Sequence, residues 1–500
     1  MLGHVNYILW IMGTGIGLVP YLSINYRCFK EEYISMNDSL RERMADECMT
    51  RTSIDLFSGP GGLCTGFKWA GILPLIAVEW TDTTAQTYSV THNAEVLELG
   101  KLEEGTEESK EYLDSFMHES TKTLLIHGDI NKVSSKMVKE LLFSRYGINS
   151  SDETVDVVSG GAPCESFSLA GTRTENDERD DLFSNIIRIA RTVNTKMILF
   201  ENVKGMFSKA KNGKRGASFN YICDTFEDKN VSPSYKLVSR EQDTILLKAC
   251  DYGVPQLRER LFLVAINTKL ADRVKFTYPE KEYGPDRKYP YLTVQEAIGD
   301  LPKVGMGEEA THYRKRKYKN KNREHFISIM RGQYKSDEMN TAVPKHLIEN
   351  GLFKENSISS HKAPGHIKRK QELLALIKEK ESMKMAFERL TKEGTIEKYR
   401  HLFPNTIYSS RNRRLVKTEI SFTVTSHCLD EILHPYLNRA ISPREAARLQ
   451  SFPDWYQFAG PYVQFHGDKV QDRYEQIGDA IPPLLAYALA REIIKALQHI

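Results

Sequence analysis

From Thr52 onward the chain alternates short apolar runs with longer amphipathic stretches, a pattern that predicts a largely parallel sheet covered by helices on both faces. The runs that read as strands are 53–57, 73–78, 124–128, 155–158, 196–200, 244–247 and 261–266. The acidic span 97–122 reads as a helical, solvated insertion to which no chemistry attaches. Two later helices are predicted from their ends. Ser442, Pro443 and Glu445 supply an N-cap, a first-turn proline and a capping box for a helix over 444–449. Pro482 and Pro483 open a last amphipathic helix over 484–497. The expected class is α/β.

The first 26 residues break the pattern, with no Lys, Arg, Asp or Glu, and 7–24 is mostly apolar. Its length approaches a membrane span. Gly13, Gly15, Gly17 and Pro20 weaken such a helix, no basic segment precedes it, and Arg27 and Lys30 follow it. Met36, Met44 and Met49 all precede the first strand. Residues before about Met36 are therefore expected to be upstream sequence with no structural role, outside the fold; 1–48 as a whole is set apart as an N-terminal extension, and no membrane attachment is favoured.

Composition narrows the classes. A chain of 500 residues, 40% of them hydrophobic, can bury one large core and is expected to build two domains. Its seven cysteines (28, 48, 64, 164, 223, 250 and 428) are odd in number and scattered, without CxxC spacing, so neither a disulfide framework nor a metal site is expected. The net charge of +3 is too mild to diagnose a nucleic-acid partner; local concentration of charge has to decide that.

Chemistry gathers at the ends of the predicted strands, where an open α/β sheet collects ligands. The first strand runs into a loop with Gly59, Gly61 and Gly62, which lets backbone amides approach a ligand; the third glycine of a dinucleotide fingerprint is replaced by Cys64. The second strand ends in Glu79-Trp80, an acid for ribose hydroxyls beside a ring for a base to stack on. The third ends in Gly128-Asp129-Ile130, an acid suited to an adenine amino group. Each alone is more often a turn or cap, but in order they describe an adenosine pocket. The fourth strand presents Cys164 after Pro163, and the fifth ends in Glu201-Asn202-Val203. Beyond a hairpin, Arg258 and Arg260 share one face of an extended segment that also carries Gln256.

These residues closely resemble the DNA cytosine-5 methyltransferase family of the bacterial restriction-modification type, over 53–494. Asp55 to Gly62 resembles the first cofactor motif; Glu79-Trp80 and Gly128-Asp129-Ile130 resemble the second and third. Pro163-Cys164 with Phe167-Ser168 resembles the nucleophile motif, Glu201-Asn202-Val203 the ENV motif, and Gln256, Arg258 and Arg260 the QxRxR motif. The ninth and tenth motifs are matched at 439–454 and 476–490. The resemblance implies a Rossmann-like S-adenosylmethionine-dependent methyltransferase sheet with a second, smaller DNA target-recognition domain. It implies Cys164 as nucleophile on carbon 6 of a flipped-out cytosine, Glu201 at ring nitrogen N3, Arg260 at the carbonyl oxygen and Arg258 near Cys164. S-Adenosylmethionine would be held by the residues above, with Phe57 below its adenine and Leu182 and Pro163 as further walls. Asp479 stands where the family usually has asparagine, which puts the usual contacts there in doubt.

Between the eighth and ninth motifs, 312–326 packs Arg314, Lys315, Arg316, Lys317, Lys319, Lys321 and Arg323 around two tyrosines, a density suited to phosphates. The expected division is a catalytic domain over 49–268, completed by 470–500, and a target-recognition domain over 269–469. Double-stranded DNA is the expected partner, with a cognate restriction endonuclease acting on the same site. The chain is expected to be a monomer, cytoplasmic and nucleoid-associated, and to protect host DNA. An RNA cytosine methyltransferase is the alternative, although the Cys-Phe-Thr segment typical of the tRNA-acting branch is absent. A non-catalytic DNA-binding relative is a second.

Overall fold

The computed structural model describes residues 36–102, 105–149, 155–162, 182–211, 214–313, 320–464, 469–498 and 500. A nine-stranded sheet organises them. Its strands are β1 (Arg51–Leu56), β2 (Ile72–Glu79), β3 (Glu95–Glu98), β4 (Leu124–His127), β5 (Val157–Gly160), β6 (Met197–Asn202), β7 (Tyr235–Leu237), β8 (Leu246–Lys248) and β9 (Glu259–Asn267). The order across the sheet is β8-β9-β6-β5-β1-β2-β4-β3, with β7 also paired to β9. Strands β1 to β6 run parallel, and both β1 and β2 are buried along their whole length, as a central strand covered on two faces must be.

All seven predicted strands are present, within a few residues of their predicted bounds. The expectation of a parallel sheet needs correction at one edge, where β9 runs antiparallel to β6, β8 and β7. The acidic span also begins differently: β3 pairs with β4, and a helix over Glu107–Asp114 follows. Half-exposed edge strands such as β3 carry no apolar run, so periodicity does not show them.

Chain direction reverses at the centre of the sheet. From β1 the chain continues through helix α1 (Gly62–Ala70) to β2 on one side, while β5 lies on the other. The carboxyl ends of β1 and β5 thus flank a topological switch point, the place where a crevice opens in such sheets.

The N-terminal boundary expected at residue 48 is also corrected. A helix over Asp38–Asp46, capped by Asn37, buries Leu40 and Met44, and Asn37 binds the backbone of Arg145 and Tyr146. Residues 36–48 therefore belong to the packed unit, and 7–24 lies outside the described residues. Among the described residues no helix is long and apolar enough to cross a membrane.

The line drawn between 268 and 269 does not coincide with a break in the core. One hydrophobic cluster joins Phe67, Leu199 and Phe262 of the sheet region to Val294, Phe326 and Trp455, and on to Leu497. A smaller, separate core holds Leu373, Leu374, Met383, Leu390, Leu402 and Phe403, with Leu433. The physical cause of the shared core is the helix α2 (Pro443–Leu449), buried at every residue and capped by the predicted box of Ser442 and Glu445. Arg439 forms a two-pronged pair with Glu445, both bonds 2.8 Å. Arg448 reaches Asp454 at 2.5 Å and Asp300 at 2.9 Å, binding the segment after the sheet to the C-terminal part. The last helix, α3 (Pro483–Leu497), packs along α1 so closely that a Cβ on Gly66 would lie 2.4 Å from Pro483 O.

Candidate active site

Because β1 to β6 are parallel, their carboxyl ends fall on one edge, and the expected site residues gather there. Phe57 follows β1 with φ 57°, a left-handed conformation that a non-glycine residue adopts only under surrounding constraint. Gly59, at φ 56°, has open space where a side chain would be. Gly61 and Gly62 do not. A Cβ on Gly61 would strike His92 and Tyr456, and one on Gly62 would lie 2.2 Å from Ile481 O. Their bareness lets the loop close against the C-terminal segments, and Tyr456 donates its hydroxyl to Pro60 O.

Glu79 ends β2 with each carboxylate oxygen held by one backbone amide, Gly59 N and Thr81 N, both at 2.9 Å. Burial raises its pKa above the ordinary carboxylate value, and those amides pull it back. Trp80, beside it, is 46% exposed, with the Lys469 ammonium 4.8 Å from its ring centre. Gly128 N bonds Glu79 O, which sets Asp129 beside Glu79, and Asp129 itself caps the turn at Asn131. Ile130 is buried and Leu182 half-buried. Asp479 is exposed and accepts from Gln471 Nε2 at 3.2 Å. Gln471 also receives Thr84 Oγ1, so the stretch around Asp479 is tied to the helix that follows Trp80.

At the end of β6, Arg260 Nε lies 3.0 Å from Glu201 Oε1, and the two side chains are 16% and 13% exposed. The other carboxylate oxygen lies against Gly161, where a Cβ would come within 2.6 Å of Oε2. Burial raises the Glu201 pKa, opposed by the charges of Arg260 and Arg258. Asn202 Nδ2 donates to Ala162 O at 3.3 Å. The chain leading to Pro163 and Cys164 is thereby anchored beside Glu201; those two residues lie outside the described ones.

The two arginines divide their work. Arg260 meets Glu201, whereas Arg258 is buried and donates to Val424 O, Gly478 O and Ala480 O at 2.8, 2.9 and 3.1 Å. Gln256 joins the same knot, donating to Leu449 O and accepting from Val424 N. Sequence reasoning placed Arg258 beside the thiol and missed the carbonyl bonds and Gln256's part in them. The period-two spacing put both arginines on one face and gave no sign of that division. It also missed the buried Asp55, which accepts from Cys64 Sγ at 2.9 Å and Ser159 Oγ at 3.0 Å, and whose pKa burial pushes up to about 7.

Of the basic cluster, 314–319 lies outside the described residues. Lys321 is exposed and Arg323 half-buried at the start of the helix Lys321–Met330, which Asn320 caps.

A family model described as C-5 cytosine-specific DNA methylase matches residues 109–495. The chain belongs to that family. This methylase is similar to the Type II methyltransferase M.DdeI of Desulfomicrobium norvegicum, 30% identical over 447 residues and 88% of each chain. It is similar also to M.AgeI of Thalassovita gelatinovora, 28% identical over 88% of this chain and 98% of that one. A solved E. coli structure, described as a prophage-encoded DNA modification methyltransferase, superposes with TM-score 0.60 at 22% identity, over 90% of this chain and 99% of that one, which shows the shared fold. The methylase is a DNA cytosine-5 methyltransferase of the restriction-modification type, and its family implies S-adenosylmethionine as methyl donor.

Proposed function

We propose that this methyltransferase modifies one cytosine within a specific duplex sequence, by covalent catalysis from Cys164, and so protects DNA from an endonuclease that cuts the same sequence. The observation that carries the reading is the Glu201 carboxyl, held by Arg260 on one side and pressed on the other against Gly161, three residues ahead of Cys164.

The residues at the adjoining strand ends fit the donor. Glu79 is oriented by two amides with lone pairs remaining for ribose hydroxyls, Trp80 offers an exposed ring, and Gly59 leaves room for close approach. Phe57, Gly61, Gly62, Asp129, Ile130, Pro163, Leu182 and Asp479 would complete that pocket, with α3 closing it behind α1. When bound, S-adenosylmethionine supplies an electrophilic methyl group.

A cytosine in a duplex hides carbon 6 within the stack, so the base is rotated out before reaction. The Cys164 thiolate then adds to carbon 6, and the ring electrons move toward N3. Glu201, raised by burial toward its protonated form, donates a proton to N3, and Arg260 holds the carbonyl oxygen as negative charge builds. Carbon 5 thereby becomes the nucleophile. Once carbon 5 has taken the methyl group, with S-adenosylhomocysteine as the leaving group, N3 returns its proton to Glu201, a water takes the carbon 5 proton, and the C–S bond breaks to release the thiolate and restore the ring. Arg258 acts from behind, fixing the backbone at 424 and 478–480 while adding positive charge near Glu201.

Cys164→Ser tests the reading. Transfer of a labelled methyl to duplex DNA is expected to vanish while S-adenosylmethionine binding, followed by calorimetry, stays within about threefold, because none of the adenosine contacts involve the thiol. Near-normal transfer by that variant would sink the covalent mechanism.

A further inference from the structure

The small core around Leu373 and Leu402 carries most of what the overall charge conceals. Residues 367–417 hold 14 Lys and Arg against 6 Asp and Glu, so the rest of the chain has 55 against 60. The net charge of +3 is thus a basic module set on a slightly acidic body. A cleft of about 390 Å³ opens on this module, with Ile367, Arg369, Lys370, Tyr408, Arg411 and Asn412 in its walls. Ile367 is 74% exposed and Tyr408 58%, two large apolar groups beside three cations at one mouth.

The cations there are held in place. Arg411 Nη1 lies 2.6 Å from Asp430 Oδ2, with both side chains about half exposed. Asp430 is itself fixed, since its backbone oxygen accepts from Asn412 N at 2.9 Å and Asn412 Nδ2 at 2.6 Å. Lys370 Nζ donates to Asn412 Oδ1 at 2.7 Å, and Arg369 Nη2 reaches Phe403 O at 3.3 Å. An arginine gripped at one end by a fixed carboxylate has lost the rotamer freedom that makes surface arginines poor readers, while its outer N–H groups remain exposed.

The module also connects directly to the catalytic strands. The Arg413 guanidinium lies 4.2 Å from the Phe422 ring centre, and Leu257 N bonds Ser421 O at 2.9 Å, three residues from Arg260. From Asn412 to Val424 the chain can span at most about 40 Å, on the order of one turn of B-DNA.

Building on the proposed DNA-methylating function, we propose that this cleft reads the duplex, with Arg411, steadied by Asp430, taking the acceptor edge of a guanine, and Ile367 and Tyr408 making apolar contact with a thymine methyl or a sugar. Arg369 and Lys370 then serve neighbouring phosphates. The occupant is duplex DNA because the charge is locally basic, and because Leu373, Met383 and Leu402, which also line the cleft, are buried in the module's own core and leave Ile367 and Tyr408 as its large exposed apolar groups.

The test uses the full chain with a randomised duplex library and base-resolution mapping of 5-methylcytosine. Arg411→Ala is expected to lower methylation at the wild-type sequence about 10- to 100-fold and to relax preference at one guanine position. Asp430→Asn is expected to do the same more weakly, and affinity for unrelated duplex in both variants should stay within about threefold. A uniform loss across all sequences would make Arg411 a phosphate contact and refute the reading of bases. A wild-type chain that labels no duplex overturns the function on which the proposal rests, and the proposal with it. A wild-type chain that does, beside variants matching it in rate and sequence, overturns the cleft alone.

Discussion

Replacing Gly161 by alanine adds one methyl group where the chain runs past Glu201 toward Cys164. The added Cβ would lie 2.6 Å from Glu201 Oε2, short of ordinary contact by about 0.8 Å. Gly161 is not among the glycines with left-handed backbone, so alanine meets no conformational penalty there. The nearest obstruction is the tip of a flexible side chain, and the carboxyl is what gives way. A displacement of that size breaks or bends the 3.0 Å contact with Arg260 Nε and moves the proton that N3 requires. Misplacement of about 1 Å at a reacting group costs about 100-fold in rate, or about 2.7 kcal/mol of barrier. Overpacking at a site that can yield costs about 1 kcal/mol of stability. Single-turnover transfer of labelled methyl to duplex, at saturating donor and DNA, is therefore expected to slow by about 10- to 100-fold in Gly161→Ala. Donor affinity should change less than about twofold, because Glu79 and Gly59 sit at other strand ends. Wild-type turnover in a folded variant would show that Glu201 needs no such placement, and an equal loss of donor affinity would show general damage; either refutes the reasoning.

Two further outcomes follow from buried charge. Asp55 has an ordinary carboxyl value of 3.8 and about 7 in the fold, so its protonated form favours the folded state. That stabilisation is complete below about pH 3.8 and is lost as pH rises to about 7, at up to about 1.4 kcal/mol per pH unit. Urea midpoints at pH 5.5 and 8 should therefore differ more in the wild type than in Asp55→Asn, and equal differences would count against the assignment. Arg448→Met removes the cation between Asp300 and Asp454, both wholly buried, and is expected to cost about 3–5 kcal/mol in urea unfolding. A loss under about 1 kcal/mol would mean that Arg331, 3.0 Å from Asp300, suffices there.

Much of the catalytic half was legible because its signals are local. Apolar runs mark β1, β2 and β5 since these strands are buried on both faces, and Ser442-Pro443 with Glu445 marks α2 since a capping box is closed within four residues. Glu79, Glu201 and Cys164 could be nominated as chemistry because each stands at the end of such a run. Edge strands β3 and β7 escaped, since four and three residues are too few to establish a period.

What tertiary structure decided is where neighbours from distant parts of the chain meet. No spacing shows that Arg258 would spend its donors on carbonyls at 424, 478 and 480, or that Arg260 two residues on would face Glu201 instead. The same holds for Gly61 and Gly62, whose sequence shows a tight loop but not that Tyr456 and Ile481 pack against it. It holds for Arg411, an ordinary surface arginine until Asp430 is brought beside it. Burial and hydrogen-bond capping are dictated residue by residue along the chain, and so can be read from it. Pairing across hundreds of residues depends on the packed geometry, because each side chain has several partners it could satisfy and only the fold selects one.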